Sequence, residues 1–358
     1  MNRRPTILVT GSSGLIGAAL CKRLIKACTV IGFDRIEPPD PPSGTHVIHV
    51  DMAQEDSLRE GLELLRREHG DHLDAVVHLA AYYNFSGEPS SLYQEITVQG
   101  TRRLLQGLQA FTVGRFIFSS TMLVHAPGIP GVPINEDSPL GPTWDYPRSK
   151  LATEQLILEL HDDIPVALLR IAGVYTDRCL SIPLAHQIER IWKREITSRL
   201  FPGDVSHGQS FVHLDDLLDA SERVMERSDS LPPGTVLLLG EPEVASYDRL
   251  QHAFARALHG EDWETREIPK TLAKLGAWMQ DHLPGMESPF IKPWMIERAD
   301  DHYEIDISRA RALLGWEPKH RLLDSVPVMV AGLHIDPVAW LRDNGIGTAE
   351  AKEPVAVG

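Results

Sequence analysis

Short apolar runs alternate with longer amphipathic stretches through the first half of the chain. Thr6-Ile7-Leu8-Val9-Thr10 reads as a buried strand, and so do Thr29 to Phe33, His46 to Val50, Asp74 to Leu79 and Arg115 to Phe118. Each is too short for a helix of ordinary length and is bounded by glycine or polar turn residues. Between them, segments such as Leu15 to about Ala27 repeat their apolar residues at helical spacing. The alternation persists through a helix at 147–161 and a strand from Val166 to Ile171, which predicts an α/β fold built on a doubly wound, Rossmann-type parallel sheet. After Val174 the regularity is lost. Residues 176–209 read as the start of a covering region, and 210–241 as a return to the sheet through Phe211-Val212-His213, a helix at 214–227 and a strand at 235–240. Residues 242–343 then form most of a smaller C-terminal α/β domain, and 347–358 a disordered tail.

The first strand runs into Gly11-Ser12-Ser13-Gly14-Leu15-Ile16-Gly17, where the first helix begins. Strand, glycine turn and helix N-terminus in that order make a phosphate-binding device, because the glycines permit close backbone approach and the free N–H groups face an anion. Gly11, Ser13, Gly14, Leu15, Ile16 and Gly17 are therefore candidate cofactor contacts, and 1–175 the dinucleotide-binding domain, with 176–209 and 242–343 left for substrate. The second strand ends in Asp34, seventeen positions after Gly17. A carboxylate there accepts from ribose hydroxyls and repels a 2′-phosphate, which favours NAD over NADP, while Arg35 beside it could neutralise that phosphate. The small residues in Leu79-Ala80-Ala81, at the end of another strand, would let backbone approach the same cofactor.

Tyr146 and Lys150 stand four residues apart, so one helical face carries both. A phenol is a poor base at neutral pH, but an ammonium held beside it favours the phenolate, which can take or return a substrate proton. Thr121, at the end of the fifth strand, supplies the natural third hydroxyl. Pro147 suits the first turn of a helix, placing Tyr146 at its mouth, with Asp145 expected as the N-cap.

Composition narrows the picture further. With 358 residues, 42% hydrophobic, the chain can bury a large core, and no apolar run reaches the length of a membrane span. The net charge of −15 argues against nucleic acid or an anionic membrane as partner. Cys21, Cys28 and Cys179 form neither a disulfide framework nor a metal spacing, and no apolar leader follows Arg3 and Arg4, so a reducing cytoplasm is the expected location. The 16 histidines are scattered and show no metal-ligand pattern, so no metal is expected.

Taken together, Thr10-Gly11-x-x-Gly14-x-x-Gly17, Asp34, Asp51-Met52, His78 to Ala81, Ser119-Ser120-Thr121, Tyr146 to Lys150, Leu169-Arg170, Phe211 to Asp216, Asp306 to Ala310 and Leu313 to Pro318 resemble the extended short-chain dehydrogenase/reductase superfamily. Within it the resemblance is to the NAD-dependent epimerase/dehydratase family of nucleotide-sugar epimerases. It implies that Thr121 hydrogen-bonds the reacting oxygen, that Tyr146 is general acid or base, and that Lys150 binds the nicotinamide ribose and lowers the tyrosine pKa. It also implies that Asp51 and Met52 border the adenine, and that helices 91–111 and 147–161 pair in a homodimer.

The departures from that family bear on substrate. Met122 and Leu123 replace the Asp-Glu pair of the dehydratases, which argues against water elimination. Gly173 stands where the family has asparagine, Gln209 where it has arginine, and Thr97 where it has a further asparagine. Two groups that hold a nucleotide diphosphate are thus missing; Arg298, Arg178 or Arg199 could substitute. Tyr83 and His125, the latter at a position where the family carries tyrosine, are further candidate substrate contacts, and Trp278, Met279, Met286, Phe290, Trp294 and Met295 could line an apolar pocket. The reading is an NAD-dependent epimerase of a sugar nucleotide or related sugar. The alternatives are an alcohol/ketone oxidoreductase acting on a substrate without the nucleotide and, from another class, a dinucleotide sensor without turnover.

Overall fold

The structure, a computed structural model, describes residues 3–36, 44–84, 89–274 and 293–347. The strands that frame the site are β1 (Thr6–Thr10), β2 (Thr29–Asp34), β3 (Thr45–His49), β4 (Ala75–His78), β5 (Phe116–Thr121), β6 (Val166–Ile171), β7 (Gly173–Tyr175), β8 (Phe211–His213) and β9 (Gly234–Leu239). Seven of them form one sheet in the order β9-β6-β5-β4-β1-β2-β3. Every pairing in it is parallel, and β7 and β8 pair in parallel beside it. Buried on both faces, these strands have no need to alternate, which is why β1, β5 and β6 read as nearly unbroken apolar runs.

The helices are α1 (Leu15–Leu24), α2 (Glu55–His69), α3 (Gln99–Leu108), α4 (Asp145–Leu160), α5 (Ile182–Trp192), α6 (Leu214–Glu226), α7 (Tyr247–His259), α8 (Pro293–Glu297), α9 (Ser308–Leu314), α10 (Leu322–Ile335) and α11 (Pro337–Asp343). One sheet face packs on Leu20 and Leu24 of α1, Leu217 and Val224 of α6, and Leu314 of α9. The other packs on Leu62 of α2, Leu104 and Leu108 of α3, and Ile157 of α4. A separate apolar cluster joins α5, α7 and α10 through Ile188, Phe254 and Met329. Strand order reverses at β1, whose neighbours β4 and β2 carry the chain to opposite sides. The crevice beyond the carboxyl ends of these strands is the natural ligand site of such a sheet.

Several local expectations are corrected. The first helix ends at Leu24, and the N–H groups of Ala27 and Cys28 both fold back to the Leu24 carbonyl, turning the chain directly into β2. The segment expected as one helix over 91–111 opens as a π-helical stretch, Tyr93–Val98, before α3 and stops at Leu108. Asp145 is not the N-cap of α4. Trp144 holds that position, and Asp145 lies in the first turn, where its charge suits the helix dipole and Arg148 Nη1 donates to it at 3.3 Å. Residues 37–43, the tail from 348 onward, and Trp278, Met279, Met286 and Phe290 lie outside the described residues.

Candidate functional site

The glycine loop is built by close approach. Gly11 has φ +70°, a backbone state that disfavours side chains, and its N–H bonds the Phe33 carbonyl at the end of β2 at 2.8 Å. A Cβ on Gly17 would lie 2.1 Å from the Gly11 carbonyl oxygen, so the first turn of α1 sits directly on the loop. That helix has no side-chain cap and no acidic residue in its first turn, leaving its N-terminal N–H groups to an anion. Asp34 closes the loop: its Oδ2 accepts from Ser13 N at 2.8 Å and its Oδ1 from Ile36 N at 3.0 Å. Each carboxylate oxygen keeps a further lone pair for a ribose hydroxyl. Asp51 Oδ1 accepts from Ala53 N at 2.9 Å, while the Met52 side chain is buried under Gly100 and turned into the core. Met52 therefore has only its backbone to offer an adenine. Arg35 is exposed.

Across the crevice, a directed chain of hydrogen bonds holds the end of β4. Thr101 Oγ1 donates to the Thr97 carbonyl at 2.6 Å, so it must accept from His78 Nε2 at 2.8 Å. His78 Nδ1 then accepts from Thr10 Oγ1 at 2.6 Å, and that oxygen accepts Ala80 N at 3.2 Å. Burial and the nearby Lys150 hold His78 neutral, with its pKa pushed down to about 3. Thr97, the departure from the resembled family, uses its own hydroxyl to accept from Tyr82 N at 2.9 Å. Leu79 and Ala80 are thereby fixed against Thr10, the residue that leads into the glycine loop.

Tyr146 and Lys150 both stand on α4 above the end of β5, in the register Ser119 to Leu169 and Thr121 to Ile171 with β6. Thr121 neighbours the Tyr146 phenol and pulls its pKa down, against a larger upward push from burial to which the nearby Tyr93 adds. Lys150 Nζ is 5.9 Å from the Tyr146 ring centre and donates to the Ser119 carbonyl at 2.7 Å. The expected depression of the tyrosine by lysine is thus not seen in this geometry. Burial instead brings Lys150 itself down to about 7, with Glu154 opposing the fall.

The substrate candidates separate. The Tyr83 ring stands edge-on to Tyr146 at 4.8 Å, and Trp144 lies 5.4 Å from Tyr146 and 5.0 Å from Trp294, so Tyr83 joins an aromatic wall around the phenol. Arg298 is brought to the same wall by donating to the Thr143 carbonyl at 3.0 Å. His125 is not a contact. It is fully buried, its Nδ1 engaged with the Ser138 carbonyl at 3.1 Å and its Nε2 with Arg170 at 3.0 Å, and burial lowers its pKa to about 4. Gly173 offers no side chain because the Phe211 ring lies 2.7 Å from where its Cβ would be. Gln209 bridges to Tyr303. Arg178 pairs with Asp343 at the surface, and Arg199 covers the Trp263 ring at 3.7 Å.

Sequence reasoning missed the buried network behind these groups, Glu154 with Arg170 and Ser120, because its members lie on three different elements. The one legible signal was Glu154, on the same helical face as Tyr146 and Lys150. A second gathering, His213, Asp215 and His320, brings ligand-type atoms within reach of one another. The two imidazoles stack at 4.0 Å, however, so their in-plane lone pairs do not converge on a common point.

The model of the NAD dependent epimerase/dehydratase family matches residues 7–240. A UDP-glucose 4-epimerase of Lactobacillus helveticus is 26% identical over 349 residues, covering 89% of this chain and 94% of that protein. The human 3 beta-hydroxysteroid dehydrogenase type 7 is 25% identical over 352 residues, covering 89% and 92%. In fold, the chain is similar to UDP-glucuronic acid 4-epimerase from Bacillus cereus, solved with UDP-glucuronic acid and NAD, at TM-score 0.69 and 23% identity over 92% of this chain and 99% of that one.

Proposed function

Since the chain belongs to the NAD dependent epimerase/dehydratase family, we propose that it binds NAD and epimerises a nucleotide sugar through transient oxidation of a secondary alcohol. The carrying observation is the gathering of Thr121 at the end of β5 with Tyr146 and Lys150 on α4, beside the crevice that the glycine loop and Asp34 border. The residues fit the dinucleotide. The uncapped α1 N-terminus suits the pyrophosphate, Asp34 the adenosine ribose, Ala80 and Ala81 the approach of the nicotinamide half, and Lys150 its ribose. NAD supplies the hydride acceptor. Tyr146 takes the hydroxyl proton, and Thr121 donates a hydrogen bond to the oxygen as it becomes a carbonyl. Lys150 adds positive charge near the developing phenolate. If the ketone is held, turned and reduced on its other face with Tyr146 returning the proton, the product is the epimer.

A second reading, net oxidation of an alcohol that carries no nucleotide diphosphate, is favoured by two observations. Phe211 fills the space that a diphosphate-holding side chain at position 173 would occupy, and an aromatic wall of Tyr83, Trp144 and Trp294 faces Tyr146. The experiment that tests the proposal is turnover of UDP sugars by the purified protein with its co-purified nucleotide identified, beside Tyr146→Phe. Epimerisation that vanishes in the variant, with NAD still bound, supports the first reading. Stoichiometric NADH formed from a nucleotide-free alcohol supports the second, and undiminished activity of Tyr146→Phe sinks both. Homodimer formation through α3 and α4 belongs to the same reading and is checked by light scattering.

A further inference from the structure

Behind the reacting groups lies a buried charge pair that the chemistry above leaves unused. Glu154 follows Lys150 by one turn and Tyr146 by two on the same face of α4, and it is 2% exposed. Arg170, on β6 and 5% exposed, grips it with both arms: Nη2 donates to Oε2 at 2.7 Å and Nε to Oε1 at 3.1 Å. Oε1 also accepts from the Ser120 hydroxyl on β5. The remaining arm of Arg170 donates to the Glu136 carbonyl at 2.9 Å and faces His125 Nε2. One carboxylate therefore ties α4 to the ends of β5 and β6, at the residue between Ser119, which holds Lys150, and Thr121, which neighbours Tyr146.

We propose that Glu154 is a positioning residue of this site, whose buried carboxylate sets the charge state of Lys150 and fixes the strand end that carries Ser119 and Thr121. The proposal rests on the assignment of Tyr146, Lys150 and Thr121 to proton transfer. A pair in fork geometry meets the donors that burial would otherwise strand, and a buried pair is costly to keep where stability alone is at stake. Its location supplies the reason to keep it. Burial works against the Lys150 ammonium, and the charges facing that group are few. Glu154 and Tyr146 come from its own helix, and His78 comes from β4, held neutral by burial. Tyr83 and Tyr93 face Tyr146, and burial holds both phenols neutral. Arg170 and His125 lie on the far side of Glu154, Arg170 directing its charge into that carboxylate and His125 neutral at ordinary pH. Glu154 is thus the one negative charge among the described residues that favours protonated Lys150.

The test is the pH titration of the Lys150 side chain, followed by the shift of its ε-carbon in lysine-labelled full-length protein and assigned with Lys150→Arg. In Glu154→Gln the titration is expected to fall by about one pH unit or more, the usual effect of removing an opposite charge at short range. Glu154→Asp, which keeps the charge, is expected to restore most of it. Where Glu154→Gln yields too little folded protein, Glu154→Gln/Arg170→Gln, which removes a positive charge along with the negative one, is expected to lower the titration by a smaller but measurable amount. A Lys150 titration in a folded variant that superimposes on the wild type's overturns the proposal. This readout needs no substrate, so it stands or falls separately from the loss of turnover in Tyr146→Phe.

Discussion

Lys150 points its ammonium at the Ser119 carbonyl, 2.7 Å away, and not at the phenol of Tyr146 one turn before it. The two residues share a helical face, as four-residue spacing requires, yet the lysine is claimed by the strand beneath it. The lysine therefore does not lower the phenol's pKa in this arrangement, and both groups carry the cost of burial on their own account.

That cost makes a prediction for stability. Lys150 is brought from 10.5 to about 7 in the folded chain. Between those values the unfolded chain binds the extra proton, so stability rises with pH across the window and is lowest below it. Lys150→Met removes the penalty. In denaturant titrations it is expected to be more stable than wild type at pH 7, with the gap closing as pH approaches 10.5. A gap that stays constant over this range counts against a buried, charged lysine.

Gly17→Ala is expected to be severe. Its Cβ would come within 2.1 Å of a backbone oxygen, and neither the loop nor the helix can yield without disturbing the proposed pyrophosphate site. A destabilisation of about 3 kcal/mol or more follows from overpacking at so rigid a contact. Thermal unfolding with and without NAD reads out both losses.

Asp34→Ala removes the acceptor for Ser13 N and Ile36 N together with the proposed ribose contact. NAD affinity is expected to fall by roughly ten- to a hundredfold, the value of a hydrogen bond to a charged group, and preference to move toward NADP beside Arg35. Calorimetric titration with both dinucleotides measures this. Unchanged discrimination would remove Asp34 from the ribose site.

Gly173→Asn reinstates the side chain that the resembled family carries and drives it into the Phe211 ring. The expected cost is about 1–3 kcal/mol, relieved in part by adding Phe211→Ala. If the single variant is as stable as wild type in urea unfolding, the ring is not what keeps position 173 bare.

The sequence alone determined the local parts whose physics is short-ranged. Apolar runs such as Ile7 to Val9 had to be buried strands, Gly11 to Gly17 had to turn a strand into an uncapped helix, and Tyr146 and Lys150 had to share a face. It also placed Asp34 at the end of its strand. Tertiary structure decided what depends on partners distant in the chain. His125 looked like a substrate contact until Arg170 and the Ser138 carbonyl took both its nitrogens. Arg178 and Arg199 looked free until Asp343 and Trp263 claimed them. Gly173 read as a missing ligand, and only the position of Phe211 shows that the space is filled. The aromatic wall of Tyr83, Trp144 and Trp294 and the anchoring of Glu154 by Arg170 have the same origin. Spacing along a helix or strand is fixed by backbone geometry, whereas the burial and charge of a site are set by whichever side chains packing brings to it.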